Sequence, residues 1–524
     1  MYDARKGLGP VLRREAQPAL AGLIAAGVSF GVTEIFAGLI SGGPSLIIAV
    51  GSGVIDLSPK FAKDFAIAVF GTNDKLALLI SIVVIGLGLG ALVGVAGMRK
   101  FWIPQVGFAV FGIVAAIAGI AEPQLSPELA LIGALLATSA GMWTLAMLLK
   151  LVQAQDMPQP VRDPRLMGLG RRSFMRMAGA FAVLAVGTAA GGRVMLERAR
   201  TIASTRLDVI LPKPRDAARP VPEGAMVDAA GIGPIITPNE DFYRIDTALS
   251  IPQVDLSTWT LKIEGLVDRP YELTYDELLD LSRVERHVTL CCVSNEVGGD
   301  LVDNAKWLGV PLTELLDRAG LQAEASQIVG MSVDGFTAGF PVDTVYDGRQ
   351  ALVAVGMNDE PLPLKHGFPA RLVVAGLYGY VSATKWLDAI VVNRWEEFDG
   401  YWIPRGWSKE GPIKTQSRID VPGNGRTLQP GLQPIAGVAW AQDRGITRVE
   451  VNVDDTGWQE AQLGEAISKD TWRQWVLPWD ATPGRHVIAV RATDTSGEPQ
   501  TAVVQRSDPD GATGHHTIVV DVSG

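Results

Sequence analysis

The stretch His287-Val-Thr-Leu-Cys-Cys-Val-Ser-Asn295, closed by Trp307-Leu-Gly-Val-Pro-Leu312, holds the only two cysteines of the 524-residue chain, Cys291 and Cys292. The β-prone run Val288-Thr-Leu leads into the pair, and a loop rich in Ser, Asn and Gly follows. A thiol at the end of a strand can point into a cleft as a soft metal ligand or as a nucleophile. The alternative is a pair of buried cysteines that act as small apolar residues, which is common for free cysteine.

Three blocks of the sequence, Asn239–Arg244, Thr289–Asn295 and Pro361–Arg371, resemble, in this order, motifs of the sulfite oxidase family of molybdopterin-dependent oxidoreductases. Asn239-Glu-Asp-Phe-Tyr-Arg244 resembles the family's Asn-Glu-x-Phe-x-x-Arg, with one residue fewer before the arginine. Thr289-Leu-Cys-Cys-x-x-Asn295 is similar to its Thr-Leu-x-Cys-x-x-Asn, and Pro361-Leu-Pro-Leu-Lys-His-Gly-Phe-Pro-Ala-Arg371 to its Pro-Leu-Pro-x-x-His-Gly-Phe-Pro-x-Arg. Three blocks in the right order are more specific than any one alone. The resemblance covers the chain from about residue 237 onward and not the segment before it.

The resemblance implies a molybdenum centre with one pyranopterin dithiolene, which takes one soft protein ligand. Cys292 stands in register with the family's thiol and is the expected metal ligand and catalytic residue. Strand alternation predicts that Cys291 points to the opposite face. Arg244 is expected beside the cofactor or the substrate, as a second catalytic residue. His366 and Arg371 are expected to grip the cofactor's phosphate, the arginine by a bidentate fork.

Further residues are expected to bind the cofactor by the same resemblance. For an isolated Arg or Lys, the alternative is a solvated surface charge. Lys385 lies one residue further from Arg371 than the family pattern has it, which also affects the assignment of Ser382. The expected cofactor-binding set is Tyr243, Arg244, Asn295, Thr337, His366, Arg371, Ser382 and Lys385.

Departures from the family pattern bear on the substrate. Where sulfite-oxidising members carry arginine after Cys-x-x-Asn, this chain has Glu296 and Val297, and Val355 replaces a tyrosine. Fewer cations and an added carboxylate disfavour a small dianion on Coulomb grounds. We therefore expect oxygen-atom transfer, coupled to a two-electron change at molybdenum, on a small molecule other than sulfite, such as a neutral S-oxide or N-oxide.

Apolar segments are concentrated before residue 200 and raise the hydrophobic share of the chain to 48%. A shorter apolar stretch, Pro44–Leu57, predicts a re-entrant or an interfacial piece. Glycines at four-residue spacing, Gly86, Gly90 and Gly94, predict close helix packing. Five segments approach the roughly 20 residues that cross a bilayer: Leu20–Ile40, Leu76–Met98, Phe101–Ile120, Leu129–Leu151 and Met177–Gly192.

Charge near these segments predicts their orientation. The positive-inside rule favours a cytoplasmic N-terminus, so five spans would place everything after about residue 195 outside the cytoplasm of a bacterial cell. Arg171-Arg172-Ser-Phe-Met-Arg176, followed by a weakly apolar run, resembles a twin-arginine export signal; the alternative is a plain positive-inside anchor. The cations in favour are Arg5, Lys6, Arg13, Arg14, Arg99, Lys100, Lys150 and the arginines of 162–176, and those against are Lys60, Lys63 and Lys75.

Composition divides the chain into four parts. We expect residues 1–195 to form a transmembrane helical domain and residues 196–236 to form a Pro-rich linker. The pattern of residues 237–416 predicts an α+β domain without repeated βαβ units, which would be the catalytic domain. The pattern of residues 417–524 predicts an antiparallel β-sandwich. The family resemblance implies that this last part is an immunoglobulin-like dimerisation domain. The predicted elements are helices Thr274–Leu281 and Leu312–Arg318 and strands Leu352–Val355, Leu372–Val374, Val438–Ala441, Val449–Val453, Gln474–Pro478, His486–Ala492 and Thr517–Val522.

The net charge of −10 argues against nucleic acid as a partner. All five histidines follow residue 280, so the apolar segments cannot supply a bis-histidine haem, and two cysteines cannot hold an iron–sulfur cluster. Besides membrane lipid, we therefore expect a separate electron-transfer partner, a cytochrome or a quinone-linked subunit. Two other functions compete: an exported ligand- or partner-binding membrane protein that has lost catalysis, and a cysteine hydrolase that pairs Cys292 with His287 or His366.

Overall fold

The structure is a computed structural model that describes residues 8–39, 43–70, 73–100, 102–156, 171–203 and 205–524. It divides into a helical unit, residues 1–204 with 248–255, and a second unit, residues 205–247 with 256–524. The predictions that concern Arg5, Lys6 and the 162–170 part of the cationic loop fall outside the described residues. The same holds for Ile40 and Phe101, at the ends of two predicted spans.

The helical unit confirms the five predicted apolar helices. Of the helices within the described ranges, α1, α4, α5, α6 and α7 are long and apolar enough to cross a membrane, which suggests membrane association. The stretch after α1 forms the short helix α2, where the Ile48 N–H donates to the Ser45 hydroxyl (3.4 Å). The helices are α1 (Leu8–Leu39), α2 (Leu46–Leu57), α3 (Lys60–Phe70), α4 (Asp74–Gly97), α5 (Trp102–Ala121), α6 (Pro127–Asp156) and α7 (Arg171–Ala203).

The last helix is longer than predicted. It continues past Gly192 to Ala203 and so includes the first residues of the predicted linker. Residues 196–200, Leu-Glu-Arg-Ala-Arg, are good helix formers but are too polar for hydropathy to mark as a span.

Glycines on α4 let it approach α1 closely, as their spacing predicts. A Cβ on Gly90 would lie 2.8 Å from the Gly22 carbonyl oxygen, and one on Gly94 would lie 2.9 Å from the Gly22 Cα. A Cβ on Gly86 would lie 2.4 Å from the Phe30 ring. Because later residues of α1 meet earlier residues of α4, the two helices are antiparallel.

Helix α7 runs parallel to α1. A Cβ on Gly31 would lie 2.1 Å from the Thr188 hydroxyl, and one on Gly38 would lie 2.6 Å from the Gly192 carbonyl oxygen. Later residues of α1 therefore meet later residues of α7. This alternation of direction among α1, α4 and α7 is the one that successive membrane spans would require.

The second unit begins with a 3-10 helix, Thr205–Asp208, continues without a strand as far as Thr260, and then forms four sheets. Two of them, ordered β2-β1-β10-β5-β6 and β3-β4-β7-β8 with β9 on β7, build an α+β part in which only β1 and β10 pair in parallel. Its elements are β1 (Thr260–Gly265), β2 (Tyr271–Thr274), α8 (Tyr275–Leu281), β3 (Val284–Cys291), β4 (Val302–Pro311), α9 (Leu312–Ala319), β5 (Gln327–Ser332), β6 (Thr337–Pro341), α10 (Asp343–Tyr346), β7 (Ala351–Met357), β8 (Glu360–Pro361), β9 (Arg371–Val374), α11 (Gly379–Ser382) and β10 (Leu387–Asn393).

The two helices predicted in this part are confirmed as α8 and α9. Thr274 caps α8 as expected: the Glu277 N–H donates to the Thr274 hydroxyl (3.4 Å), and the Thr274 N–H donates to the Glu277 carboxylate (2.8 Å). This reciprocal pair is a capping box, which satisfies two of the N–H groups that a helix start leaves open.

The remaining two sheets, β11-β13-β17-β16 and β12-β19-β18-β14-β15, face each other across one apolar core that includes Trp475, Val449 and Ile488. The five predicted strands are confirmed, and the predicted antiparallel pairing holds except for the short parallel pair of β12 and β19. Immunoglobulin-like identity and dimerisation stay predictions. The strands are β11 (Gln416–Val421), β12 (Thr427–Leu428), β13 (Gly431–Trp440), β14 (Ile446–Val453), β15 (Trp458–Glu460), β16 (Gln462–Leu463), β17 (Arg473–Ala481), β18 (Gly484–Asp494) and β19 (His516–Val522).

The cysteine-bearing strand β3 is bonded to the C-terminal part through Thr289. The Thr289 N–H donates to the Asp470 carbonyl (3.0 Å), and the Thr289 carbonyl accepts from the Gln442 amide (3.0 Å). The Trp472 N–H donates to the Thr289 hydroxyl (2.8 Å). All four residues are buried. Residues that flank β13 and β17 therefore fix β3 two positions before Cys291.

His486 gives the sandwich a predicted pH dependence. Its Nδ1 lies 2.6 Å from an Asp454 carboxylate oxygen, and this hydrogen bond raises the pKa of His486. A histidine whose folded pKa is raised contributes stability that is full below its unfolded pKa, about 6.5, and is lost as the pH rises through the folded value. We expect the hydrogen-exchange protection of β18 amides to fall over that rise and His486→Gln to flatten the change. His515→Gln, which leaves the pair intact, is the control; an unchanged profile in His486→Gln would contradict this assignment.

Candidate active site

Cys292 is the first residue beyond β3, and the loop after it is tightly fixed. The Cys292 N–H donates to the Leu301 carbonyl (2.9 Å), and the Cys292 carbonyl accepts from the Asn295 N–H (3.1 Å). The Asn295 side chain accepts from the Leu301 N–H (2.8 Å), which closes the loop. Both cysteines are free thiols and buried. The strand end therefore holds the Cys292 thiol in a defined position.

The two thiols differ in part of their surroundings. Burial raises the pKa of both. At Cys291, the pKa is lowered in turn by the charge of Arg418 and by the Trp440 indole. At Cys292, it is lowered by hydrogen bonds with Ser294 and by the charge of the Lys385 ammonium. Both thiols act on Tyr243, but the charge of Lys385, another residue that the sequence marks as cofactor-binding, acts on Cys292.

Arg371 is a buried cation held by carbonyl groups. Its guanidinium donates to the carbonyls of His366 (3.1 Å), Leu372 (3.4 Å) and Ala383 (3.5 Å), and it lies 5.1 Å from the Trp307 ring centroid. Burial lowers its pKa to about 10, so it stays charged at neutral pH. Within the described residues no carboxylate lies within 4.0 Å of it, the limit for a salt bridge. A buried charge of this kind is costly unless an anion compensates it.

His366 is buried and held by a backbone carbonyl. Its Nε2 lies 3.0 Å from the Asn239 carbonyl oxygen, which can only accept, so Nε2 carries the hydrogen. Burial lowers the His366 pKa to about 3, so the ring is neutral. It also packs edge-on against Phe242 (5.4 Å between centroids). In this arrangement the His366 ring anchors the 239–244 segment, and its predicted contact with a phosphate stays a prediction.

A three-residue charge cluster lies beside these groups. One oxygen of Asp246 is 2.7 Å from Arg244 Nε and 2.8 Å from Lys385 Nζ. Burial lowers the pKa of Lys385 to about 8, although Asp246 acts in the opposite direction. The cluster joins the predicted residues Arg244 and Lys385 through Asp246, which sequence reasoning missed. Its only signal in the sequence is its place two residues after the Asn239–Arg244 block.

Tyr243 is positioned by a second residue that the sequence did not mark, Asp303 on β4. The Tyr243 N–H donates to the Asp303 carboxylate (2.7 Å), and the Thr237 hydroxyl donates to its other oxygen (3.0 Å). Burial raises the pKa of Asp303 to about 6. Burial, and after it the nearby Cys292 thiol, raises the pKa of Tyr243. The 237–244 segment is thereby fixed near the cysteines.

The other predicted site residues serve local structure in the contacts described. The Ser382 hydroxyl donates to the carbonyl of Tyr378 (3.0 Å), the residue before α11, and Asn295 closes the loop after Cys292. Thr337 begins β6, where its carbonyl accepts from the Tyr401 N–H (3.0 Å). Glu296 is exposed and accepts from the Ser507 hydroxyl (2.9 Å).

The geometry does not support a cysteine hydrolase. His366 Nε2 is bonded to Asn239, and His287, on β3, lies beside Lys306, whose charge adds to burial in lowering the His287 pKa. In the described ranges, neither histidine is hydrogen-bonded to Cys292. The burial-raised pKa of Cys292 is also the opposite of what an acidic catalytic thiol needs.

Comparison with known proteins identifies the family. Residues 248–402 match the family described as oxidoreductase molybdopterin binding domain. The chain is 33% identical over 157 residues to the uncharacterized oxidoreductase YuiH of Bacillus subtilis, an alignment that covers 30% of this chain and 76% of that protein. The chain belongs to the sulfite oxidase family of molybdopterin-dependent oxidoreductases.

Another member of the sulfite oxidase family, the mitochondrial sulfite oxidase of Homo sapiens, is 29% identical over 302 residues, which are 49% of this chain and 55% of that protein. The chain thus spans about half the length of the mammalian relatives it matches. Among solved structures, the sulfane dehydrogenase SoxCD from Paracoccus pantotrophus aligns over 55% of this chain and 81% of its own, with a TM-score of 0.48 and 23% identity.

The residues present fit the family's molybdopterin group. Cys292 offers one free thiol at a fixed strand end, and a metal bound by a single thiolate needs no larger cluster of ligands. In the part of the chain that the structure describes, no group of three or more His, Cys, Asp or Glu forms another metal site. Arg371 supplies the buried positive charge that a phosphate would neutralise.

Proposed function

We propose that this chain is a membrane-anchored, molybdopterin-dependent oxidoreductase that catalyses two-electron oxygen-atom transfer. The observation that carries the proposal is that the second unit holds both a free thiol at a strand end, Cys292, and a buried guanidinium whose partners are carbonyl groups, Arg371. A soft ligand and an uncompensated cation are the two things that a molybdenum centre with a phosphorylated pterin requires of its protein.

The residues of this chain would divide the work as follows. Cys292 would ligate molybdenum as a thiolate, and since a thiol must lose its proton to bind a metal, the Lys385 ammonium favours binding by favouring the ionised form. Arg371 would neutralise the cofactor's phosphate. Tyr243 and Arg244, on the segment fixed by Asp303, would line the pocket. When bound, the molybdenum–pterin group supplies the oxygen-atom and two-electron chemistry.

The substrate of this proposal is not sulfite. Glu296 and Val297 stand where sulfite-oxidising members carry arginine, and Val355 on β7 replaces a tyrosine. A neutral S-oxide or N-oxide needs hydrogen-bond donors rather than the arginine charge that sulfite-oxidising members carry here. The site retains such donors.

The proposed location is the outer side of a bacterial cell membrane. Five apolar helices, with α1 parallel to α7, would leave the two ends of the helical unit on opposite sides. The Arg171-Arg172 start of α7 supports export by the twin-arginine route, which carries folded proteins.

Electrons would then pass to a separate cytochrome or quinone-linked partner, with no haem or iron–sulfur cluster in this chain. A homodimer through the C-terminal sandwich belongs to the same proposal.

Molybdenum and pterin content of the purified full chain tests this function. We expect about one molybdenum and one pterin per chain from molybdate-grown cells, as a single thiolate ligand implies. After growth on tungstate, we expect the chain to lose its molybdenum and its reductase activity toward S-oxides. A folded chain without metal would favour the alternative of an exported binding protein. Strong sulfite-dependent activity would contradict the substrate argument.

Protease cleavage of the C-terminal part in spheroplasts, with cytoplasmic markers protected, tests the location.

A further inference from the structure

We infer that Asp246 determines specificity by keeping dianions away from Arg244 and Lys385, which restricts the enzyme to uncharged oxides. This inference rests on the proposed function and narrows its substrate class. Neither the family motif nor the comparisons with known proteins mark this residue; its role follows from where its carboxylate lies.

Asp246 occupies the place that a dianion would need. Its side chain is 4% exposed, and one of its oxygens contacts both Arg244 Nε (2.7 Å) and Lys385 Nζ (2.8 Å). The side chain of Arg244 remains 36% exposed and that of Lys385 10% exposed. The carboxylate is therefore shared by the two cations at their buried ends.

The cluster lies beside Arg371, the proposed phosphate-binding cation. A Cβ on Gly367 would lie 3.0 Å from the Lys385 Cβ and 3.1 Å from the Arg371 Cβ, so these two side chains start from adjacent positions. A substrate that reaches this part of the site would therefore be subject to the charge of Asp246 as well as to that of the cations.

The carboxylate discriminates by charge. Like-charge repulsion doubles from a monoanion to a dianion and vanishes for a neutral molecule, and it is strongest where water is excluded. A guanidinium has five N–H donors, and Asp246 faces only Nε and one terminal nitrogen of Arg244. The donors that remain can bind the oxygen of a neutral oxide, so Asp246 excludes dianions without removing the donor that a neutral oxide uses.

Sulfate, a dianion that is not turned over, provides the test on the full chain in detergent at low ionic strength. We expect Asp246→Asn to bind sulfate about tenfold more tightly than the unaltered chain, measured by titration calorimetry, because two cations lose their shared counter-charge. Asp246→Ser removes the same charge and serves if the asparagine variant fails to fold by circular dichroism.

Asp443 offers a matched control. Its carboxylate also bridges two cations, Lys469 (2.6 Å) and Arg349 (3.2 Å), and its left-handed backbone (φ +71°) is one that asparagine tolerates. We expect sulfate affinity in Asp443→Asn to stay within about twofold of the unaltered chain, since this pair lies outside the site.

Three results would overturn the inference: no gain in Asp246→Asn, an equal gain in Asp443→Asn, or submillimolar sulfate binding by the unaltered chain that Arg244→Gln abolishes. Molybdenum measured on the same samples keeps the two proposals separate. An unaltered chain without molybdenum would contradict the proposed function, whereas the sulfate comparison needs no metal and decides the role of Asp246 by itself.

Discussion

Cys292→Ser is expected to lower molybdenum occupancy at least about tenfold and to abolish oxygen-atom transfer, while Cys291→Ser keeps both. A serine hydroxyl is a harder ligand than a thiol and does not ionise near neutral pH, so it cannot replace a thiolate on molybdenum. Cys291 is also buried, but the cation that acts on it is Arg418 instead of Lys385. Elemental analysis of the purified full-length variants, with S-oxide reduction measured alongside, gives the comparison.

The adjacent cysteine makes this control unusually close, because both variants exchange a buried sulfur for oxygen at consecutive positions. Similar hydrogen-exchange protection in β3 and β4 would show that the two variants fold alike. Full occupancy in Cys292→Ser, or loss of metal in Cys291→Ser, would show that the ligand assignment is wrong.

Arg371→Met is expected to reduce retention of the pterin about a hundredfold, and Arg371→Lys less. A charge-assisted contact to phosphate contributes about 3 kcal/mol, which corresponds to that factor. Methionine removes the charge, whereas lysine keeps it but loses the planar fork. If the residue served only to hold the carbonyls of His366 and Ala383, both variants would lose the fork and behave alike. Pterin released after repeated dialysis, quantified by fluorescence, distinguishes the two cases.

Arg473 is the control for Arg371. It too donates to backbone carbonyls, those of Gly464 (2.6 Å) and Ile446 (2.9 Å), but it lies in the sandwich. Arg473→Met should lower stability and retain the pterin. Equal pterin loss in Arg371→Met and Arg473→Met would mean that the effect comes from weakened folding and not from a lost phosphate contact.

Local patterns in the sequence were sufficient for the elements and for the residues that belong to contiguous motifs. Hydropathy located five helices, and the Thr274 cap was visible because a capping box is contained in four residues. Cys292 and Arg371 were found because each belongs to a block that resembles a known family. The end of α7 was missed because Leu196–Arg200 carries helix propensity without apolarity.

The partners of the site residues could not be predicted, since they come from distant parts of the chain. Asp246 meets Lys385 across 139 positions, and His366 meets Asn239 across 127. No periodicity encodes such pairs. The contact of His366 with the Asn239 carbonyl is therefore visible only in the fold, and binding of a phosphate by His366 stays a prediction.

The bonds of Thr289 limit how this protein can be dissected. A chain stopped before residue 417 would remove the partners of two buried groups of Thr289, its N–H and its carbonyl, at about 1–3 kcal/mol each, whereas the Thr289 hydroxyl would keep Asn304 as a partner. That loss is a large fraction of the about 5–15 kcal/mol by which a domain is typically stable. The region that carries the cysteines should therefore not survive as an isolated fragment, and proteolytic trimming of the tail should inactivate the protein even though the cut lies far along the chain from Cys292.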